Sequence, residues 1–338
     1  MSACKPMADS TTPKPPDRSP VNEAPWAGAH WEAWQERGPI VVALSGGADS
    51  TALLKACLDK WPGQVSAIHI NHGLQAAAAE FERHCQTLCR TLGVPLNCVQ
   101  LSLNPEKGES VEQVARDARY DALTQHVKQH WPAGAVVMLA HHADDQVETV
   151  LLALLRGAGL PGLAAMPERF ERDGVVFVRP WLNVSGAAIR EWLRSTGQTW
   201  VEDPSNQNLQ HTRNRIRLAL GPVLAAHFPA HRQTLGRTAR HAAQAQQLLN
   251  ELAQEDLLRC GNPPRIADLR ELNPARRANA LRAWLKGLGM RASAAQLDEL
   301  SSQIEDCVTA GHRIELKVGK GQVLRKGPVL VGYNLALP

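Results

Sequence analysis

The chain has 338 residues, 44% apolar and 21% charged, with 37 Lys and Arg against 33 Asp and Glu for a net charge of +4. At about 150 residues per domain this length predicts roughly two domains, and so ordinary a composition excludes wholesale disorder and coiled coil. No run approaches the roughly 18 apolar residues of a membrane span and no apolar signal core opens the chain, so a cytoplasmic protein is expected.

Met1 to Pro25 carries six prolines among Ser, Thr, Lys and Asp. Such a segment does not repay its ordering entropy and reads as a disordered leader. Trp26, Trp31 and Trp34 follow, on a short helix expected to dock onto the first domain. From Pro39 a strand–loop–helix pattern repeats. Ile40–Leu44, Val65–Ile70, Leu96–Leu101 and Ala135–Ala140 read as buried strands. Ala52–Lys60, Gln75–Leu92, Val111–His130 and Asp144–Leu155 read as the helices between and after them. This alternation predicts an α/β fold with a parallel sheet covered on both faces. Ligands then sit beyond the carboxyl ends of the strands, so chemistry is sought just after Leu44, Ile70 and Ala140. Further on, Ala225–Leu258 and Asn273–Leu300 read as helix. His312–Val318, Gln322–Arg325 and Pro328–Tyr333 read as a small antiparallel element.

The seven cysteines (Cys4, Cys57, Cys85, Cys89, Cys98, Cys260 and Cys307) are odd in number and lack CxxC spacing. That argues against a zinc ribbon or disulfide framework and for a reducing compartment. Cys85 and Cys89, one helical turn apart, read as small core residues.

Ser45-Gly46-Gly47-Ala48-Asp49-Ser50-Thr51 stands where the first strand ends and a helix begins. Two glycines allow close backbone approach, three hydroxyls can bond phosphate oxygens, and a helix N-terminus adds free N–H groups. A plain helix cap explains Asp49 or Ser50 alone, but not the set. No Walker lysine follows. A GxGxxG at Gly157–Gly162 follows a helix rather than a strand and is discounted as a cofactor loop. After the fourth strand, His141-His142-Ala143-Asp144-Asp145-Gln146-Val147-Glu148-Thr149 opens a helix. Acidic residues favour a helix N-terminus, but two histidines before two aspartates exceed what capping requires. These carboxylates suit a hard cation such as Mg²⁺. Arg116 and Tyr120 share one face of their helix.

These segments together identify a resemblance. Ser45–Ser50 is similar to the SGGxDS loop of the PP-loop ATP pyrophosphatases. His69-Ile-Asn-His-Gly-Leu74, Ala115-Arg-Asp-Ala-Arg-Tyr120, His142–Thr149, Leu155-Arg-Gly157, Asp203-Pro-Ser-Asn206 and Arg213-Asn-Arg-Ile-Arg217 follow in order. That combination, over roughly Val41 to Pro222, resembles the tRNA(Ile)-lysidine synthetases. The family usually has an arginine where Gln75 stands, and the chain looks shorter at its C-terminus than the longest members.

The resemblance implies a ligase that uses ATP and Mg²⁺. ATP adenylates the C2 carbonyl oxygen of the wobble cytidine in a CAU-anticodon tRNA(Ile), releasing pyrophosphate; free L-lysine then attacks C2 and AMP leaves. On this reading Ser45, Gly46, Gly47, Ala48, Asp49, Ser50 and Thr51 hold ATP, and Asp49, Asp144 and Asp145 hold the metal. Asp49, Arg116, His142 and Asp145 serve catalysis, and Asp145 or Glu148 meets lysine's charges. The implied division is a leader and short helix over 1–37, a PP-loop ATPase/ligase domain over 38–221, and a helical tRNA-binding domain with a small β element over 222–338, in a monomer or homodimer.

Between Arg179 and Arg240 stand nine arginines and no lysine, opposed by Glu191, Glu202 and Asp203 alone. Arginine forks suit phosphate backbones, so this stretch, and Arg213, Arg215 and Arg217 above all, is expected to bind tRNA. Of Trp181, Trp192 and Trp200, at least two are expected in the core, and the set includes a candidate to stack a splayed base. Two other readings remain. A tRNA thiolase would be expected to carry cysteine pairs. A non-catalytic RNA adaptor would have no need of Ser45, Asp49, Ser50, Asp144 and Asp145 together.

Overall fold

A computed structural model describes residues 38–71, 78–101, 111–203, 206, 208–210, 212–309, 311–319 and 321–334. The leader and tryptophan helix expected over 1–37, the His72–Gln75 stretch, and Pro204 and Ser205 lie outside the described residues.

In chain order β1 (Ile40–Ala43), α1 (Ala48–Lys60), β2 (Val65–Asn71), α2 (Ala78–Leu92), β3 (Leu96–Gln100), α3 (Val111–His130), β4 (Val136–Met138) and α4 (Ala143–Leu155) alternate as the sequence predicts. Then come α5 (Leu160–Leu163), β5 (Arg169–Arg172), β6 (Val175–Val178), α6 (Gly186–Ser195) and α7 (Thr212–Arg215). The last runs straight into a π turn over Ile216–Leu220 and α8 (Gly221–His227). The chain continues through α9 (His231–Cys260), α10 (Ile266–Glu271), α11 (Pro274–Gly287), α12 (Ala294–Asp306), β7 (Glu315–Val318), β8 (Gly321–Lys326) and β9 (Val329–Asn334).

Two compact units result: residues up to Leu152 with Met166–Gly236, and Ala153–Ala165 with Arg237 onward. The first holds a six-stranded sheet in the order β3-β2-β1-β4-β6-β5, parallel except for β5. Alternation along β1 shows why this sheet is buried on both sides. Ile40 and Val42 join a core with Ala52, Leu53 and Ala56 of α1 and with Ile189 and Leu193 of α6. Val41, between them, joins Tyr120, Leu123 and Val127 of α3 on the other face. A strand apolar at every position is what such double cover requires. Cys85 and Cys89 are buried in the first of these cores, where burial pushes each thiol up to about 12. The second unit packs Leu269, Leu281, Leu285, Leu300 and Ile304 of its helices against Val318, Val323 and Leu330 of a three-stranded antiparallel sheet.

Two predicted stretches are divided, and one element is new. The stretch expected to be helical over Ala225–Leu258 is helical in two pieces, α8 and α9, because Pro229 keeps Phe228 out of helical backbone (φ −133°, ψ 71°). The helix expected over Asn273–Leu300 is likewise two. Gly289 takes a positive φ after α11, and Ser293 with Gln296 forms a capping box that restarts the chain as α12. The β5–β6 hairpin was not expected. Its turn, Asp173-Gly174, has positive φ at both residues, the form that suits a tight two-residue connection.

Candidate active site

Strand order reverses direction of build between β1 and β4, and the loops leaving these two adjacent strands form the site. After β1 the backbone turns at Gly46 (φ +89°), where a Cβ would lie 3.1 Å from Cys85 Sγ and 3.3 Å from Phe81 Cδ1. At Gly47 a Cβ would meet no more than Ser45 Oγ at 3.7 Å, so that space stays open in front of the loop. Helix α1 starts on Gly47 without a side-chain cap. The capping explanation for Asp49 or Ser50 therefore fails, and the N-terminus remains available to an anion. Ser50 Oγ accepts from Ser45 N at 3.1 Å, donates to Gly47 O at 3.1 Å and lies 2.9 Å from Ser45 Oγ, which fixes the loop's shape. Thr51 is placed apart: its side chain is fully buried and does not line the cleft that Ser45, Gly47 and Ser50 line.

The second loop builds a charge cluster. His142 is buried, with Nε2 3.5 Å from Asp49 and Nδ1 3.6 Å from both Asp144 and Asp145. Burial opposes a charge on its ring, but Asp145, Asp49 and Asp144 together outweigh it and raise its pKa above the ordinary value. Burial likewise opposes charge on Asp49 and Asp144. His142 and Arg190 lower the first, and the Gly186 N–H, Arg232 and His142 lower the second. With Asp49 near one ring nitrogen and Asp144 and Asp145 near the other, His142 is placed to hold the three carboxylates together. Asp145 Oδ2 also accepts from His142 N at 2.9 Å, so part of the acidic run does cap α4.

Helix α6 closes this cluster from above. Gly186 N donates to Asp144 Oδ2 at 2.8 Å, and a Cβ on Gly186 would come within 2.9 Å of His142 Cε1 and Nε2. Ser185 caps the helix through Ala188 N.

Sequence reading assigned the arginines of this region to RNA, and the structure redirects four of them inward. Arg217 grips Glu148 through both oxygens (2.6 and 3.1 Å) and Asp145 at 3.3 Å. Arg232 donates to Asp144 at 2.6 Å, and Arg190 reaches Asp49 at 3.5 Å. Arg179 is buried, donating to Tyr120 Oη at 3.0 Å, Pro167 O at 2.7 Å and His141 Nδ1 at 3.3 Å. Burial and the guanidinium groups of Arg179, Arg119 and Arg116 hold His141 far below the usual histidine range. Glu148, buried, has its pKa raised by that burial, which Arg217 offsets in part. Arg217 thus departs from the expected trio, while Arg215 is exposed and donates to Thr212 Oγ1 at 3.0 Å. Arg116 lies with its guanidinium 5.6 Å over the Tyr120 ring, and Arg119 at 5.8 Å. Trp181 and Trp192 are in the core as expected, and Trp200 is half-buried, donating to Glu202 at 2.7 Å.

A cleft of about 470 Å³ runs between the two loops, lined by Ser45, Gly47, Asp49, His141, Arg190 and Arg217 among others. Its volume lies within the ordinary range for small-molecule sites. A larger hollow of about 890 Å³ opens at the opposite, amino-terminal edge of the strands, but its charged lining is Lys55 and Asp59, which pair with each other at 3.9 Å. The smaller one carries the loop residues that the sequence singles out.

Residues 27–224 match a PP-loop domain family and residues 265–326 a TilS substrate binding domain family. The chain is 53% identical to a tRNA(Ile)-lysidine synthase of Polaromonas naphthalenivorans over 86% of its own length and 88% of that protein's. It is 43% identical to one of Ralstonia nicotianae over 78% of its length and 58% of that longer protein's. Among solved structures, a U34-tRNA thiolase from Methanococcus maripaludis superposes with a TM-score of 0.52 at 14% identity, covering 62% of this chain and 74% of that one. At that identity the likeness shows the fold alone.

Proposed function

The chain belongs to the tRNA(Ile)-lysidine synthase family, and from that premise we propose that it ligates free L-lysine to C2 of the wobble cytidine of a CAU-anticodon tRNA(Ile). ATP is cleaved to AMP and pyrophosphate, and the tRNA changes codon and amino-acid identity. The observation that carries this reading is the uncapped α1 N-terminus beside Asp49, with three carboxylates gathered on one enclosed histidine.

In the first half-reaction, Ser45–Ser50 would hold the β and γ phosphates, so that the cytidine C2 oxygen displaces pyrophosphate from the α phosphorus. Arg116 would meet the nucleotide. In the second, the lysine amine attacks C2 and AMP departs. Asp145 and Glu148 would meet lysine's cationic groups, and in the free protein Arg217 bonds both of them. His142 positions Asp49, Asp144 and Asp145 throughout.

Asp49 Oδ1 is buried without a hydrogen-bond partner, a fit for Mg²⁺, whereas both oxygens of Asp144 are engaged by Gly186 and Arg232. Among the described residues no three His, Cys, Asp or Glu side chains converge as a preformed metal set. That suits a cation held by one or two carboxylates together with substrate phosphates. Asp49 would hold it together with substrate phosphates, since Asp145, like Asp144, has both oxygens engaged, by His142 N and Arg217, and when bound the cation would offset charge on the leaving pyrophosphate. No helix among the described residues is long and apolar enough to cross a membrane. A cytoplasmic setting, with tRNA, ATP and lysine at hand, fits the proposed reaction.

The test is to incubate the protein with a tRNA(Ile) transcript, ATP and labelled lysine, then digest the tRNA and analyse its nucleosides by mass spectrometry. Lysidine, with one AMP and one pyrophosphate per lysine incorporated, is expected. Tight tRNA binding with no ATP turnover would replace this reading with the adaptor.

A further inference from the structure

We propose that Arg190 is the cation that grips the pyrophosphate portion of the nucleotide, parked against Asp49 until phosphates arrive. The inference rests on the reading of Ser45–Ser50 as a phosphate cradle, and it moves Arg190 from the RNA to the nucleotide.

Three arginines from the later part of the sheet unit reach the site's carboxylates, and they are not equivalent. Arg217 holds Glu148 with two short bonds, and Arg232 holds Asp144 with one of 2.6 Å. Charge-assisted hydrogen bonds of that length are strong, and both side chains are committed. Arg190 instead reaches one oxygen of Asp49 through one terminal nitrogen at 3.5 Å, the outer limit of a hydrogen bond. A guanidinium carries five N–H donors in a planar fork, which matches two phosphate oxygens far better than one distant carboxylate oxygen.

Placement agrees. Arg190 lines the same cleft as Ser45, Gly47 and Asp49, and its side chain is 40% exposed, free enough to re-aim. Its backbone is fixed. Ile189 and Leu193 are fully buried, and the first residue of α6 is bonded to Asp144. The helix therefore delivers a mobile fork from a rigid base to the mouth of the loop. A triphosphate entering there brings several negative charges against the single one on Asp49, so the fork transfers from carboxylate to phosphate.

The experiment compares wild type, Arg190→Lys and Arg190→Gln in three measurements. These are ATP binding to the protein by equilibrium dialysis, the KM for ATP in tRNA-dependent pyrophosphate release, and tRNA affinity as a function of salt. Thermal unfolding checks that each variant is folded. Loss of a charge-assisted phosphate contact should weaken ATP binding and raise the KM by about ten- to a hundredfold in Arg190→Gln. Arg190→Lys, which keeps the charge without the fork, should fall between. The tRNA affinity and its salt slope should not move. An unchanged ATP affinity in folded Arg190→Gln overturns the proposal. So does a lowered tRNA salt slope with normal ATP binding, which would return Arg190 to the RNA. If wild type itself neither binds ATP nor releases pyrophosphate, the cradle reading fails first, a result distinct from failure at Arg190.

Discussion

Three carboxylates around His142 outweigh its burial and favour the charged ring. Its pKa is raised above about 6.5, so the stability it adds is full below that value and is lost as pH climbs through the folded-state pKa. Asp49 and Asp144 run the other way: their pKa values are lowered from 3.8, and what they add is lost only as pH falls through the depressed values. Urea unfolding of wild type and His142→Gln in magnesium-free buffer should therefore differ most near pH 5 to 6, with the difference shrinking toward pH 9. A difference constant across that range would mean that the ring is not charged in the fold. Asp49 supports a separate prediction. Asp49→Ala should abolish tRNA-dependent pyrophosphate release while leaving tRNA affinity nearly unchanged, because the carboxylate sits in the cradle and not on an RNA-facing surface. Wild-type turnover in that variant would remove Asp49 from the chemistry.

Helix α6 shows how an element with no motif of its own completes a site. A Cβ on its first residue, Gly186, would lie 2.9 Å from the buried His142 ring, so any other residue there forces the ring or the helix to shift. Gly186→Ala should lower the denaturation midpoint by an amount equivalent to about 1–3 kcal/mol, as overpacking does, with the m-value unchanged. Full stability in that variant would show that α6 is not seated on His142. What was legible beforehand follows the same division. The two strand-to-helix loops carried their own signals: glycines and hydroxyls after β1, paired histidines and aspartates after β4. The β5–β6 hairpin had a signal too, Asp173-Gly174, but its four-residue strands are too short for periodicity to stand out. Proline at 229 marked the end of α8, yet the apolar pattern on either side masked it. The destinations of the arginines were out of reach of any local pattern. Arg217 meets Glu148 across 69 residues, Arg232 meets Asp144 across 88, and Arg190 meets Asp49 across 141. Only the folded sheet unit brings those positions together.

Across the whole molecule, nine arginines in one stretch read as a single basic surface, and folding divides them between two tasks. Three of those turned inward, Arg190, Arg217 and Arg232, neutralise a site that would otherwise gather Asp49, Asp144, Asp145 and Glu148 with one histidine to balance them. Arg215 is exposed, and the proposed function gives it the phosphates of the tRNA backbone. The two tasks have different signatures. An arginine that neutralises a phosphate releases counterions, so its loss weakens binding to every RNA and lowers the salt dependence by about one unit of slope. An arginine that partners a buried carboxylate releases none, and its loss instead leaves Glu148 buried and unpaired. Arg215→Ala should thus flatten the plot of log Kd against log salt while pyrophosphate release at saturating tRNA stays near wild type. Arg217→Ala should keep the wild-type slope and lose turnover, with lysine incorporation falling most. Equal slopes in wild type and Arg215→Ala would take that residue off the RNA. A flattened slope in Arg217→Ala would mean that its fork leaves Glu148 when tRNA binds, and the division between inner and outer arginines would then hold for the free protein alone.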